Sequence, residues 1–283
     1  MEPQLRSTRL SAGTVHYRDI GEGPPILFVH GLLVDGTLWR KVWPILAESH
    51  RCVVPDWPLG SHREAMDPGA DLAPPAVDRL IAEFIEAEGL EGATVIANDT
   101  GGAITQMLVA ERPELVGQLV LTSCDAFENF LPPMFKPLQK LGSTATGLKV
   151  ALEPMRLQFV RRLPIAFGGV AVEKIPDDVI RHWVEPCLTR GEIRRDTAKV
   201  LKGVDTADTL AAAEKLPAFG RPALVAWGAE DKVFPLEHGR RLAELLGGRF
   251  ESIPGSKAFV PEDRPEELAA LVTSWLREGV PAS

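Results

Sequence analysis

The sequence predicts an α/β fold in which a mostly parallel sheet carries helices on both faces. Short apolar runs rich in β-branched residues, such as 26–29, 93–97 and 223–227, are typical of strands buried on both faces. Segments with helical spacing of apolar residues lie between these runs, and strands that alternate with helices form parallel sheets. A third observation is the segment 93–104, where a strand pattern passes directly into a helix pattern.

Composition is that of an ordinary globular protein and narrows the range of partners. The 283 residues are 45% apolar and 25% charged, which is enough to bury a large core. A formal net charge of −8 without a basic stripe argues against a nucleic-acid partner. The start of the sequence lacks the apolar segment of a signal peptide, and no apolar run approaches membrane-spanning length. We therefore expect a cytoplasmic protein without a membrane partner.

Cysteine usage points to a reducing compartment. The three cysteines, Cys52, Cys124 and Cys187, are an odd number and show no C-x-x-C spacing. Such a pattern is typical of free thiols rather than of disulfides or a metal site. We expect no metal and no cofactor.

The first third of the chain predicts a hairpin followed by alternating strands and helices. Residues 8–20 alternate in polarity around a glycine, which favours two antiparallel strands at a sheet edge. The apolar run that follows predicts a central parallel strand. The next predicted elements are a helix over 39–47, a strand over 52–56 and an amphipathic helix over 71–90.

The segment 93–104 carries the main functional signal. Ala97-x-Asp99-x-Gly101-Gly102 surrounds one carboxyl with small residues, as a tight turn from strand to helix requires. The residue at the apex of such a turn stands above the sheet, over the N-terminus of the helix. This is the geometry of a nucleophile elbow, with Asp99 at its apex. The structural alternative is that Asp99 only caps the following helix.

Beyond the strand predicted over 118–123, the alternation of strands and helices stops until about residue 210. Prolines and glycines divide this stretch into short helical pieces, and its many apolar residues argue against an open linker. The remaining predicted elements are a strand over 223–228, a helix over 236–247, a strand over 250–253 and a helix over 265–278.

Four landmarks follow one another in a recognisable order. They are His30-Gly31, the turn at Asp99, Gly228-x-x-Asp231 and Ile253-Pro254-Gly255. With these landmarks the chain resembles proteins of the α/β-hydrolase fold, and its turn resembles the aspartate-nucleophile branch of haloalkane dehalogenases and epoxide hydrolases. The resemblance implies an eight-stranded, mostly parallel sheet with a helical cap. It divides the chain into a core of 1–124 and 210–283 and a cap of 125–209.

The resemblance also implies roles for individual residues. Asp99 would be the nucleophile, and the backbone N–H groups of Leu32 and Thr100 would form the oxyanion hole. The acid that orients a catalytic histidine has two candidates, Asp231 in Gly-x-x-Asp and Asp125 after the preceding strand. Either could instead cap a turn, and the Gly-x-x-Asp context favours Asp231.

The histidine base of the family has no counterpart at its usual place. Family members have Gly-His-Phe just after the last strand, and this chain has Lys257-Ala258-Phe259 there. Other departures are Thr100 in place of the halide-binding Trp and Leu32 in place of Asn. Epoxide hydrolases use cap tyrosines, whereas the single tyrosine here is Tyr17.

We predict that His62, in the loop 57–63, replaces the missing base if the chain hydrolyses its substrate, because this loop leaves the same edge of the sheet as Asp99. A solvated surface histidine is the structural alternative. His182, in the cap beside Trp183, is the less favoured substitute base. Lys257 could supply a charge near Asp99, and an exposed lysine is the structural alternative. The predicted pocket residues are His30, Trp57, Phe127, Phe130, His182, Trp183, Lys257 and Ala258. His30 fits a structural role in the loop better than a role as base.

The functional expectation is an enzyme that acts on a small or medium organic molecule in a capped, apolar pocket. Hydrolysis is what the resemblance implies. Two alternatives remain: a lyase, cyclase or isomerase that needs no water-activating histidine, and a catalytically silent ligand-binding protein. The sequence assigns no oligomeric state.

Overall fold

The computed structural model describes residues 3–278 and contains the predicted sheet. Its eight strands are β1 Gln4–Leu10, β2 Gly13–Ile20, β3 Pro25–Val29, β4 Arg51–Pro55, β5 Ala93–Asp99, β6 Val116–Cys124, β7 Ala223–Gly228 and β8 Arg249–Ile253. They lie in the order β1-β2-β4-β3-β5-β6-β7-β8. The pairs β1–β2 and β2–β4 are antiparallel, and every later pair is parallel. The fold class, including the hairpin at the sheet edge, is confirmed.

Helices occupy most of the remaining described chain. They are α1 Trp43–Leu46, α2 Pro74–Ala87, α3 Thr100–Glu111, α4 Lys136–Gly142, α5 Ala145–Leu152, α6 Gln158–Arg161, α7 Phe167–Val170, α8 Asp177–Thr189, α9 Gly191–Gly203, α10 Thr206–Lys215, α11 Leu236–Leu246, α12 Val260–Asp263 and α13 Pro265–Glu278. Within residues 3–278, no helix combines the length and the apolarity needed to cross a membrane.

The helix predicted over 39–47 is instead two short pieces. A 3₁₀ turn covers Gly36–Trp39, and α1 begins only at Trp43. Pro44 lies in the first turn of α1. Because proline has no N–H to donate to the preceding turn, a helix cannot run through this position and has to begin again.

The stretch between β6 and α10 forms a helical insert, which we define as residues 125–205. Helices α4, α5, α8 and α9 of this insert pack on one another, whereas α10 packs on α3 next to the sheet. The predicted boundary at 209/210 therefore cuts through a helix, Thr206–Lys215, that belongs with the core.

The order of the strands fixes where a site can form. From β3 the chain first adds β4 on one side and then crosses back to add β5 and the later strands on the other side. Ligand crevices in parallel sheets lie where the strand order reverses, at the carboxyl ends of the strands. Here these ends are Val29 of β3 and Asp99 of β5, and the two strands are neighbours in the sheet.

The crossing of α3 over the end of β3 requires a residue without a side chain. A Cβ atom added to Gly101 would lie 2.3 Å from the backbone oxygen of His30. Backbone atoms cannot move aside as the end of a flexible side chain can. Gly69, in contrast, has no atom within 4 Å of the position of an added Cβ.

We expect Gly101→Ala to lower the free energy of unfolding by about 1–3 kcal/mol, the usual cost of overpacking. The matched control Gly69→Ala is expected to stay within about 0.5 kcal/mol of the unmodified protein, as exposed substitutions usually do. Urea unfolding followed by tryptophan fluorescence measures both. Equal stability of the two variants would contradict the close approach of α3 to β3.

Candidate active site

Asp99 lies at the turn between β5 and α3, as predicted. Its backbone has φ 57° and ψ −138°, in a region that residues other than glycine rarely adopt. Such strain persists only where the surrounding structure enforces it, and it is common at functional sites. Gly31, just after β3, leaves room for the carboxyl because it has no side chain. A Cβ at this position would lie only 2.2 Å from Oδ1 of Asp99.

Two backbone N–H groups converge on one oxygen of the Asp99 carboxylate. The N–H of Thr100 donates to Oδ1 at 2.6 Å, and the N–H of Leu32 donates to the same atom at 3.2 Å. Burial raises the pKa of Asp99, and the N–H groups of Thr100 and Leu32 partly offset that rise by stabilising the charged form. Because both donors bind Oδ1, the second oxygen, Oδ2, is left for a molecule in the space above it.

That space is a cavity of about 320 Å³ between the core and the helical insert. The insert contributes apolar side chains to its wall, and the core contributes two phenylalanines. Representative lining residues are Leu131, Phe135, Leu138, Phe167, Phe234 and Phe259. Among the described residues, the polar side chains of the lining are those of Asp99, Thr100 and Asp125. The cavity therefore suits an apolar molecule that presents one reactive or polar group to its floor.

Asp125 is a second carboxyl at the floor of the cavity. Its Oδ2 accepts a hydrogen bond from the Thr100 hydroxyl at 3.1 Å, and its Oδ1 is buried without a partner in residues 3–278. Burial, followed by the nearby charge of Asp99, raises the pKa of Asp125 well above its ordinary value. Of the two neighbouring carboxyls, Asp99 receives two backbone N–H donors that stabilise its charged form, whereas Asp125 receives one hydroxyl.

A model of the alpha/beta hydrolase fold family matches residues 24–265, which include β3, β5 and the turn at Asp99. The chain belongs to the α/β-hydrolase fold family. A protein named AB hydrolase superfamily protein from Gibberella zeae is 33% identical over 282 residues, covering 95% of this chain and 86% of that protein. Haloalkane dehalogenase 2 of Mycobacterium tuberculosis is 27% identical over 273 residues, covering 93% of this chain and 91% of that enzyme.

Solved structures of the family superpose on the whole fold. Haloalkane dehalogenase DbeA from Bradyrhizobium elkani aligns with a TM-score of 0.81 at 20% identity over 98% of both chains. An α/β-hydrolase fold protein from Burkholderia ambifaria aligns with the same TM-score of 0.81 at 22% identity, over 96% of this chain and 100% of its own. At these identities the likeness concerns the fold.

Asp231, the favoured partner acid for a histidine in this family, is engaged in a turn. Its Oδ1 accepts the backbone N–H of Val233 at 2.8 Å and that of Phe234 at 3.1 Å. Its Oδ2 is buried and lacks a partner among residues 3–278. Asp231 does not line the cavity within the described chain, whereas Asp125 does. Asp125 thus shares the cavity with Asp99, whereas Asp231 lies behind the lining, near enough for the charge of Asp99 to raise its pKa in addition to burial.

His62 does not reach Asp99, and its prediction as the replacement base is corrected. The ring is buried, with Nε2 at 3.3 Å from Oδ2 of Asp196 in α9, and Nδ1 accepts the N–H of Gly60 at 3.4 Å. The same Asp196 oxygen accepts the N–H of Met66 at 2.8 Å. Because both ring nitrogens are occupied, His62 attaches its loop to the insert and leaves no nitrogen for a catalytic water.

The predicted pocket residues also lie outside the cavity lining of the described chain: His30, Trp57, Phe127, Phe130, His182, Trp183, Lys257 and Ala258. The loop residues His30 and Trp57 are structural. Nε2 of His30 accepts the N–H of Trp57 at 2.8 Å, and the indole Nε1 of Trp57 donates to the backbone oxygen of Phe28 at 3.1 Å. These bonds hold the loop after β4 against β3.

The predicted pocket residues of the insert bind the core instead of a ligand. His182 lies 2.8 Å from a carboxylate oxygen of Asp35, and the indole of Trp183 donates to the Thr37 hydroxyl at 2.7 Å. Phe127 is buried beneath the Arg241 guanidinium, which lies 3.9 Å from its ring centroid. Phe130 is fully buried. Sequence position gave the right segment, but it could not give the direction in which each side chain points.

The segment after β8 ends beside the turn at Asp99. Nδ2 of Asn98 donates to the backbone oxygen of Ala258 at 2.8 Å, and the methyl group of Ala258 is fully buried. Lys257 turns away, and its ammonium donates to the backbone oxygen of Ala171 at 3.2 Å. In residues 3–278 no histidine lines the cavity.

The lining side chains that the sequence did not assign to the pocket come mainly from α4, α5 and the short turns around them. Leu138 and Leu141 stand three positions apart on α4 and both reach the cavity. That spacing was a usable signal, because residues three apart share a helix face. Within residues 3–278, no three His, Cys, Asp or Glu side chains converge as metal ligands would.

The buried carboxyl of Asp231 makes stability depend on pH. Burial is the main cause that raises its pKa from 3.8 to about 6. The folded chain then binds this proton more tightly than the unfolded chain does, so the group stabilises the fold at low pH. That contribution is lost as the pH rises through 3.8 towards 6.

We expect Asp231→Asn to raise the free energy of unfolding by about 1–3 kcal/mol at about pH 7.5, because one pKa unit corresponds to about 1.4 kcal/mol. Near about pH 4 the gain is expected to vanish, since the folded carboxyl is then protonated. Urea unfolding at both pH values measures the difference, with the exposed Glu91→Gln as control. A loss of stability at the higher pH would contradict an unpaired, buried charge.

Proposed function

We propose that the chain is an enzyme that acts on an apolar organic molecule, with Asp99 as nucleophile and the helical insert as its cap. The observation that carries this proposal is the pair of N–H donors on Oδ1 of Asp99, at the floor of an apolar cavity. These donors hold the carboxylate so that Oδ2 faces the cavity. They also stand ready to stabilise an oxyanion on Oδ1 when an ester of Asp99 is attacked.

The proton donor in the proposed reaction is Asp125. Its protonated form is favoured, its Oδ1 has no partner within residues 3–278, and it lines the same cavity as Asp99. Two carboxyls whose environments separate their pKa values are the usual arrangement of an acid and a nucleophile. The Thr100 hydroxyl donates a hydrogen bond to Oδ2 of Asp125 and so orients that carboxyl.

A leaving oxygen suits this site better than a leaving halide. A halide needs N–H donors around it, and the indole groups of Trp57 and Trp183 are bonded to protein oxygens outside the cavity. An oxygen needs a proton, which Asp125 can supply. We therefore propose a strained cyclic ether, an epoxide, as the substrate class, although the named relatives include dehalogenases.

The proposed steps balance without a histidine. Oδ2 of Asp99 attacks a ring carbon, the carbon–oxygen bond breaks, and the departing oxygen takes the proton of Asp125. The products are a hydroxyalkyl ester of Asp99 and an ionised Asp125. Asp125 then takes a proton from water as the water attacks the ester carbonyl, and it gives that proton to the ester oxygen as the diol leaves. The added hydroxyl leaves Asp99 as a carboxylic acid, whose proton passes to Asp125 and restores the starting charges of both groups.

We expect intact-mass spectrometry to detect an alkyl ester on Asp99 after incubation with a small alkyl bromide. This ester should be long-lived, because Asp125 has not given up its proton and no histidine of the described chain lines the cavity. Asp99→Asn keeps the hydrogen-bond acceptor and removes the nucleophile, and it is expected to form no adduct. Labelling of the Asn variant, or of another residue, would overturn the assignment of Asp99.

We expect Asp125→Asn to slow the opening of an epoxide by about 10²–10⁴-fold, the usual contribution of a general acid. Its reaction with the alkyl bromide should be nearly unchanged, because bromide leaves without a proton. Mass spectra of samples quenched at successive times give the rate of adduct formation with each reagent, for the unmodified protein and for Asp125→Asn. Equal losses with both reagents would mean that Asp125 supports the cavity and donates no proton.

A second candidate is an isomerase or lyase reaction in which Asp99 and Asp125 exchange protons with a substrate. The absence of a histidine from the described cavity lining favours it over histidine-assisted hydrolysis. It predicts turnover that depends on Asp99 without any covalent adduct. A ligand-binding protein would show neither turnover nor adduct.

A further inference from the structure

The exposed apolar side chains of this protein are concentrated in one segment of the helical insert. In residues 3–278, ten large apolar side chains are exposed, and eight of these lie between positions 134 and 172. The most exposed of these eight are Phe159 at 65% and Val150 and Ile165 at 62% each. Single exposed apolar residues are common, but a cluster of this kind marks an interaction surface. We call residues 134–172 the insert face.

The insert face is also basic, in a chain that is acidic as a whole. It contains six lysines and arginines and one acidic residue, Glu153, whereas the whole chain has a net charge of −8. Arg161 is buried against Asp177, and Arg156 pairs with Glu153.

Three exposed cations of this face remain free of such pairing. Within residues 3–278, Lys140, Lys149 and Arg162 have no carboxylate among their ion-pair partners, whereas the Lys136 ammonium donates to the backbone oxygen of Phe130 at 3.0 Å. Lys140 lies on α4 and Lys149 on α5, and Arg162 directly follows α6. Long basic side chains can therefore reach outward around apolar tips, as they do at a lipid headgroup layer.

The cavity above Asp99 opens on this face. Met134, Leu141 and Ile165 are exposed to solvent and also line the cavity. An apolar molecule would thus pass from the insert face to the carboxylate without crossing a polar surface.

We infer that the insert face docks on the surface of an anionic lipid bilayer, with the cavity mouth turned towards the lipid. The exposed apolar side chains enter the headgroup region, and the unpaired cations bind the negative surface around them. This inference narrows the substrate of the proposed enzyme to molecules dissolved in lipid. It revises the expectation of no membrane partner, which was based on segments that cross a bilayer.

Charge decides between a bilayer and a second copy of the chain. A two-fold contact through the insert face would bring the unpaired cations of both copies against each other. Like charges opposed in this way disfavour association. An anionic lipid surface satisfies the same cations and accepts the apolar tips, so the bilayer is the occupant that fits both observations.

Flotation with lipid vesicles tests this inference without any need for turnover. The full chain is mixed with vesicles of phosphatidylcholine alone, or with one third of phosphatidylglycerol. We expect flotation with the anionic vesicles only, and its loss as salt rises. Each of Lys140→Glu and Arg162→Glu should weaken binding about fivefold or more, since a basic residue near the surface contributes about 1 kcal/mol. Phe159→Ser should weaken it as well.

Matched controls lie on the core. Leu210→Ser removes an exposed apolar side chain on α10, and Arg79→Glu reverses an exposed charge on α2. Neither is expected to change flotation. Labelling of Asp99 by a water-soluble bromide should stay the same in Lys140→Glu and Phe159→Ser, because neither residue lines the cavity. That readout separates failure of the docking surface from failure of the proposed chemistry.

Three results would overturn the inference. The first is failure of the unmodified protein to float with anionic vesicles. The second is equal weakening by the core controls and the insert-face variants. The third is a dimer in sedimentation velocity that Phe159→Ser dissociates, which would assign the face to a second copy.

Discussion

The site depends on two backbone N–H groups, those of Leu32 and Thr100, that meet at one oxygen of Asp99. Leu32 follows β3 and Thr100 begins α3, so the pair exists only because β3 and β5 are adjacent and parallel. The strained φ of 57° at Asp99 holds the carboxyl between the two donors. Gly31 has to lack a side chain at this point, since a Cβ there would overlap the carboxylate. The order of the strands, the strained backbone of Asp99 and the absence of a side chain at Gly31 thus all position Oδ1 of Asp99 between its two N–H donors.

The same burial acts on three neighbouring carboxyls with different results. It raises the pKa of Asp99, Asp125 and Asp231 alike. Asp99 receives two backbone N–H groups on Oδ1, and Asp231 receives two on its Oδ1 within its turn. Asp125 receives only a hydroxyl, and its other oxygen is buried without a partner in the described chain. Asp125 combines the fewest donors with the deepest burial of the three, and both disfavour its charged form.

The sequence predicted the sheet, the hairpin and the turn at Asp99, because each depends on local patterns of apolar and small residues. It could not predict the cavity wall. Which insert side chains face Asp99 depends on how short helices pack over 125–205, and proline-broken helices carry little periodic signal. The prediction of His62 as the replacement base was wrong for a related reason. Its ring lies against Asp196, a residue 134 positions away in α9. Position in a loop gives the edge of the sheet, whereas tertiary contacts decide which way a ring turns.

In the proposed mechanism the alanine at position 258 and the acid at position 125 are linked. A histidine beside these carboxyls would become positively charged and would hold both of them ionised, because a nearby cation lowers the pKa of a carboxyl. Without that cation, burial and then the charge on Asp99 raise the pKa of Asp125, and Lys136 offsets only part of this rise. The absence of a histidine from such a cavity therefore favours Asp125 as a proton donor. The acid can become a base only after it has given its proton to a leaving group. A site of this kind couples water activation to bond breaking, so that only a substrate whose leaving atom takes a proton prepares the enzyme for the second step.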